Sequence, residues 1–157
     1  MGPTGAIGPR GVQGIQGDPG PAGPTGTAAM AAYGTFESIA PRIITVGGPV
    51  ILDMVQTTGL GLAFTPGTSS VTVAAAGVYR VMFSVKTTLA IGATIRLLVN
   101  GAAVPGSSLE ALADISQRTG YATLTLAAGD TLEIGTTGVA VTLAAGANAF
   151  LDIVKVA

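Results

Sequence analysis

The sequence predicts an all-β domain, a sandwich or jelly roll, that follows an N-terminal triple-helical segment. Two patterns in the 157 residues lead to this prediction. Glycine stands at every third position from Gly2 to Gly26, and the rest of the chain shows short apolar–polar alternation broken by glycine turns. The triplet period stops near Thr27, where the composition changes. We therefore assign residues 1–27 to a stalk and residues 28–157 to a head.

The stalk carries the Gly-X-Y pattern of a collagen triple helix. Three polyproline-type chains wind around one axis there, and only glycine fits at the positions that face the axis. Because such a strand has no internal hydrogen bonds, the pattern predicts a homotrimer; a disordered Pro/Gly linker is the alternative that composition alone permits. The predicted axial residues are Gly2, Gly5, Gly8, Gly11, Gly14, Gly17, Gly20, Gly23 and Gly26.

Strands are predicted in the head wherever apolar residues alternate with polar ones. In residues 78–85, Tyr79, Val81 and Phe83 share one face, which predicts that they lie in the subunit core. Asn100-Gly101 is a strong signal for a two-residue hairpin turn, because both residues tolerate a positive φ. The best helical candidate, residues 107–116, is about two turns at most. Further strands are predicted at residues 70–74, 95–99, 122–126, 132–134 and 147–156.

The last predicted strand is largely apolar on both faces. Phe150 and Val154 share one face with Asp152, while Leu151 and Ile153 lie on the other. Burial on both sides is expected when a strand faces the core of its own domain and a neighbouring subunit. A loop that covers the strand is the alternative. Together with the stalk, the pattern favours self-association around a threefold axis.

The composition excludes most catalytic chemistry. The chain has no histidine, cysteine or tryptophan, so imidazole, thiol and disulfide chemistry are absent. A formal charge of −1 and the lack of a long apolar run argue against nucleic acid and membrane insertion. Asp130 is explained as a turn residue and Glu133 as a solvated strand residue. A calcium site that uses Asp53 or Asp114 is left as an alternative. We expect no enzyme activity and no cofactor.

Several motifs of the head resemble known families. Residues 77–83 (GVYRVMF), 128–134 (AGDTLEI) and 148–151 (NAFL) are similar to strands of complement C1q and tumour necrosis factor (TNF) jelly rolls. Residues 98–108 (LVNGAAVPGSS) and 153–157 (IVKVA) resemble the C-terminal domain of the Bacillus collagen-like exosporium glycoproteins. The resemblance covers the stalk and most of residues 60–157, whereas residues 28–59 match only loosely.

The resemblance implies a homotrimeric structural filament on the spore surface, the exosporium, with the head as distal knob and trimerisation nucleus. One sheet of each jelly roll would face the threefold axis and place Met82, Tyr121, Phe150 and Val154 at the trimer interface. Ordinary half-exposed strand positions are the alternative for Met82 and Tyr121.

The resemblance further implies O-glycosylation of outward-facing stalk threonines, Thr4 and Thr25 among them; plain triple-helix positions are the alternative. A second function shares the same architecture. In it the trimer is a recognition or adhesion head for a host receptor, a complement component, a glycan or another spore-surface protein, or it is the tip of a phage fibre.

Overall fold

The computed structural model of the chain describes residues 1–20, 32–89, 91–110 and 116–157. No residue in these ranges is helical, and no helix there is long and apolar enough to cross a membrane. In chain order the strands are β1 (Tyr33–Ser38), β2 (Ile43–Ile44), β3 (Met54–Thr58), β4 (Leu62–Phe64), β5 (Ser70–Val73), β6 (Gly77–Leu89), β7 (Thr94–Val99), β8 (Ala102–Ala103), β9 (Leu109–Glu110), β10 (Ser116–Leu126), β11 (Thr131–Thr137), β12 (Val141–Leu143) and β13 (Ala149–Lys155).

The strands form two antiparallel sheets. The first sheet has the order β2-β12-β6-β13-β1-β3, with β10 also paired to β6; the second has the order β4-β5-β11-β7-β8, with β9 also paired to β7. The chain crosses repeatedly between them, because β6, β10 and β12 return to the first sheet after segments of the second. This arrangement confirms the predicted all-β jelly roll.

Strand β6 organises the first sheet. Its 13 residues pair with β10 along one edge and with β13, then β12, along the other. Phe83 is opposite both Leu151 of β13 and Gly120 of β10. A Cβ atom at Gly120 would collide with the Phe83 ring. Glycine at this strand position therefore lets a large core ring lie across the neighbouring backbone.

The core fills the space between the sheets. Phe36, Phe83 and Leu151 of the first sheet and Ile95 and Leu132 of the second are almost completely buried. Apart from the buried Ser84, the residues on either side of each of them are partly exposed, which follows the twofold period of a strand. Burial of this apolar surface, about 25 cal/mol per Å², is the main force that holds the two sheets together.

The hairpin prediction at Asn100-Gly101 is confirmed. Asn100 has φ 51° and Gly101 has φ 77°, and Val99 pairs with Ala102 across the turn. Asn100 is the sole non-glycine residue with a positive φ in the part of the chain that the structure describes. Its side chain also accepts a hydrogen bond from the Thr131 N–H at 2.9 Å, which joins the hairpin to β11.

Two predictions of local structure differ from the observed fold. The helical candidate at residues 107–116 is wrong where it is described, since Leu109–Glu110 forms β9 against β7. There the buried Ser107 hydroxyl donates a hydrogen bond to the Val104 carbonyl oxygen at 2.8 Å, and the chain then continues as an extended segment. The rest of that candidate, residues 111–115, lies outside the described residues. The last strand is shorter than predicted and spans Ala149–Lys155.

Candidate trimer-forming face

The sequence-predicted interface residues lie on the outer face of the first sheet. Side chains alternate along a strand, so the burial of Tyr79, Val81 and Phe83 on β6 turns Arg80 and Met82 to the opposite side. We use the term outer face for this surface of β1, β13, β6 and β10, which points away from the second sheet.

The register places the four predicted interface residues close together. Met82 is directly opposite Tyr121 on β10 and Asp152 on β13. Phe150 precedes Asp152 by two residues and Val154 follows it by two, so both share its side of the strand. Tyr121 is 67% exposed, and the other three are partly exposed. All four side chains therefore lie on one surface that a partner can reach.

A shallow depression of about 280 Å³ lies at the centre of the outer face. It is lined by Arg80, Met82, Tyr121 and Asp152. The Asp152 carboxylate accepts a hydrogen bond from the Thr35 hydroxyl of β1 at 2.7 Å. Sequence reasoning did not select Arg80 and Asp152 as site residues. Both residues could have been found from their positions in the sequence, because each alternates with core residues on its own strand, as Met82 does.

Hydroxyl groups occupy the outer face beside this depression. Ser84 is buried although it lies on the outer face, and it is opposite Phe150. The Gln117 side-chain amide and the Thr119 hydroxyl each donate to the Ser84 hydroxyl at 3.1 Å. Because Ser84 is already hydrogen-bonded within the chain, a neighbour can cover this part of the face without leaving that hydroxyl unpaired.

The three predicted core residues, Tyr79, Val81 and Phe83, have no exposed surface. The Tyr79 hydroxyl donates a hydrogen bond to the Ala75 carbonyl oxygen at 2.7 Å. Burial raises the pKa of Tyr79 above its ordinary value, because desolvation disfavours the charged phenolate. These side chains hold β6 against the core and thereby fix the direction of the outer-face residues between them.

Asp53, considered as a calcium ligand, directly precedes β3 and is bound by the connection between β1 and β2. Its carboxylate accepts hydrogen bonds from the Ile39 and Ala40 N–H groups at 2.9 and 3.1 Å and forms an ion pair with Arg42. Desolvation raises the pKa of Asp53, but these groups together outweigh it and hold the pKa below its ordinary value. Asp114 lies outside the described residues.

The carboxylates of Asp130 and Glu133 have fewer hydrogen-bond partners than that of Asp53. Asp130 accepts hydrogen bonds from the Asn100 side chain and the Ala127 N–H, both at 2.8 Å, and these hold its pKa below the ordinary value. Glu133 accepts a hydrogen bond from the Ser69 hydroxyl at 3.0 Å. Within the described ranges, no group of three His, Cys, Asp or Glu residues could hold a metal ion.

The described part of the stalk, residues 1–20, is exposed and forms no strand pairing. A Cβ atom added at any of its glycines from Gly2 to Gly20 would meet nothing within 4 Å. Thr4 is exposed, as a modified threonine must be. Gly23, Thr25 and Gly26 lie outside the described residues.

Comparison with known proteins identifies the head. The family model of the BclA C-terminal domain matches residues 32–157. The chain belongs to the BclA C-terminal domain family. The match includes residues 32–59, where the sequence motifs were only loosely similar and where the structure places β1 and β3. No curated protein sequence matches the chain.

Solved structures share the fold of this BclA C-terminal domain. The globular domain of zebrafish complement 1qA is 18% identical, with a TM-score of 0.59, and the alignment covers 80% of this chain and 98% of that one. Eiger TNF from S. frugiperda is 16% identical, with a TM-score of 0.59 and coverage of 83% and 94%. Murine APRIL is 14% identical, with a TM-score of 0.62 and coverage of 79% and 99%. These likenesses establish the C1q/TNF-like jelly roll.

Proposed function

We propose that the protein is a homotrimeric structural protein of the spore exosporium. Residues 1–27 form a collagen-like stalk, and residues 28–157 form the head that nucleates the trimer and stands at the distal end of the filament. The proposal assigns the chain no catalytic activity and no cofactor. Its partners are two further copies of itself.

The observation that carries the proposal is the outer face of the first sheet. An antiparallel sheet with one solvated face normally presents polar residues there, yet Met82, Tyr121, Phe150 and Val154 are gathered on this one. The face belongs to a BclA C-terminal domain that follows a strict Gly-X-Y repeat. A repeat that needs three chains and a head with an accessible apolar face are both explained by one threefold assembly.

Sedimentation equilibrium tests the assembly. We expect a mass of about 46 kDa, three times the chain mass of 15.3 kDa. Collagenase treatment should remove the stalk and leave a trimeric head. A monomer before treatment would contradict the homotrimer, and a monomer only after treatment would show that the stalk, rather than the head, holds the chains together.

Localisation is tested separately. Immunogold labelling of spores from the source organism should decorate the outermost layer. Labelling confined to the cytoplasm or to phage particles would contradict the exosporium assignment. Mass spectrometry of spore-derived protein should find glycans on Thr4 or Thr25, whose unmodified recovery would remove the glycoprotein element of the proposal.

One observation favours an additional adhesive role for the head. β2 pairs with β12, and β12 pairs with the last residues of β6. Ile43 of β2, Val46 shortly after β2 and Ile91 shortly after β6 are 70%, 62% and 58% exposed. Exposed apolar side chains on neighbouring elements are typical of contact surfaces. Replacing all three with serine should reduce retention of the trimer on an apolar surface, and unchanged retention would count against this role.

A further inference from the structure

The outer face carries two opposite charges at its centre. Arg80 and Asp152 line the same depression: Arg80 precedes Met82 by two residues on β6, and Asp152 is directly opposite Met82 on β13. The other charged residues of this face lie further along the strands: Glu37 accepts a hydrogen bond from Gln56 at 2.8 Å, and Lys86 is exposed. Arg80 and Asp152 are therefore the charges that a neighbour on the apolar centre would cover.

Within the described ranges, neither central charge forms an ion pair. Asp152 Oδ1 accepts the Thr35 hydroxyl on the side of β1, away from Arg80. Arg80 forms no hydrogen bond or ion pair with any residue in the described ranges. Its guanidinium thus keeps five N–H donors available, and Asp152 keeps a carboxylate oxygen.

Covering these groups without a partner would oppose assembly. An unpaired buried charge is strongly destabilising, whereas a hydrogen-bonded opposite pair offsets much of its desolvation cost. In a threefold ring each interface is heterologous, so one patch of a protomer meets a different patch of the next. Two unlike charges on one face can therefore meet across every interface of the ring.

We propose that Arg80 of each protomer pairs with Asp152 of the next protomer around the threefold axis. This inference rests on the proposed homotrimer and names the contact that fixes its register. The occupant of the depression is then a second copy of this chain. The apolar residues around it supply contact area, and the ion pair selects the one rotation at which unlike charges meet.

Mixing two charge-reversal variants tests this contact. Arg80→Asp leaves two acidic groups at each interface, and Asp152→Arg leaves two basic ones. Each variant alone should raise the trimer dissociation constant at least about 100-fold. When the two full-length variants are mixed, native mass spectrometry should detect 2:1 and 1:2 trimers, because two of the three interfaces then join unlike charges.

Mixed trimers distinguish a contact between chains from one within a chain. If Arg80 paired with Asp152 of its own chain, both variants would stay defective in the mixture, and this result would overturn the proposal. Glu110→Arg, an exposed charge reversal on the second sheet, is the matched control and should leave the trimer unchanged. If the wild-type chain is not a trimer, the proposed homotrimer fails first and independently.

Neutral variants keep the test decisive if a reversal variant does not fold. Arg80→Gln and Asp152→Asn retain size and hydrogen-bonding atoms, and circular dichroism reports whether the sheets remain. Each should weaken the trimer about tenfold or more, and the double variant should weaken it less than the product of the two effects. Independent, multiplicative effects would show that the two residues do not interact.

Discussion

Glycine is used for different reasons in the head and in the stalk. In the head, Gly120 leaves room for the Phe83 ring, and Gly101 adopts the positive φ of a tight turn. In the stalk, a Cβ atom at any glycine from Gly2 to Gly20 would touch no other part of the chain. Contacts and backbone angles within one chain therefore explain these two head glycines. No contact within the chain explains the stalk glycines from Gly2 to Gly20, and the proposed triple helix accounts for their spacing.

The largest effect on the head should follow loss of a core ring. Phe83→Ala leaves a cavity between β6, β10 and β13 and should lower the free energy of unfolding by about 3–5 kcal/mol. Urea denaturation at fixed protein concentration measures the change. Val12→Ala, which removes an exposed stalk side chain, is the control and should leave the unfolding of the head unaltered. Equal effects of the two variants would contradict the division into two regions.

A smaller effect is expected at the loop after β1. The pKa of Asp53 is lowered in the folded state, so its stabilising contribution is present above the unfolded pKa of about 3.9 and is lost as the pH falls through the folded value. Asp53→Asn should cost about 1–2 kcal/mol at neutral pH, and the difference from wild type should shrink below about pH 4. Thermal unfolding across this pH range provides the measurement, and a constant difference would show that Asp53 acts without its charge.

The smallest effect on the head should come from the stalk. Gly14→Val places a side chain where the triple helix has no space and should lower the melting temperature of the polyproline-type circular dichroism signal. The free energy of unfolding of the head should change by less than about 0.5 kcal/mol. Gln13→Val, one position away from the axis, is the matched control for the stalk. If both substitutions leave the signal unchanged, the repeat is not a triple helix.

Much of the fold was predictable because several of its strands alternate clearly between apolar and polar residues. The alternation around Tyr79, Val81 and Phe83 predicted β6, and Asn100-Gly101 predicted the turn that the structure contains. Strands β1 and β3 were missed because their stretch of sequence alternates weakly; β1 pairs with β13, which is distant in the sequence, and β3 pairs with β1. The two-residue strands β8 and β9 are too short to show an apolar–polar periodicity.

The candidate site was predicted in part. Alternation along β6 and β13 showed which residues share a face with Met82, and with Phe150 and Val154, and the family resemblance assigned these faces to the trimer interface. Neither alternation nor the resemblance could show that Met82 is directly opposite both Tyr121 and Asp152. Cross-strand register depends on the lengths of turns that are distant in the sequence. Arg80 was not selected, although it lies on the same side of β6 as Met82. That it has no partner among the described residues could be seen only in the structure, which places the neighbouring strands.

The position of β1 has a mechanical consequence. Tension passed along the chain reaches Ala32, whose carbonyl oxygen accepts a hydrogen bond from the Lys155 N–H at 2.8 Å, and then β1, which is held between β13 on one side and β3 on the other. Backbone hydrogen bonds of an antiparallel pair run across the strands, so a pull along β1 loads the bonds of both neighbours together instead of opening them one by one. A force directed along β1 therefore loads the head in shear, the geometry in which a sheet resists extraction of a strand.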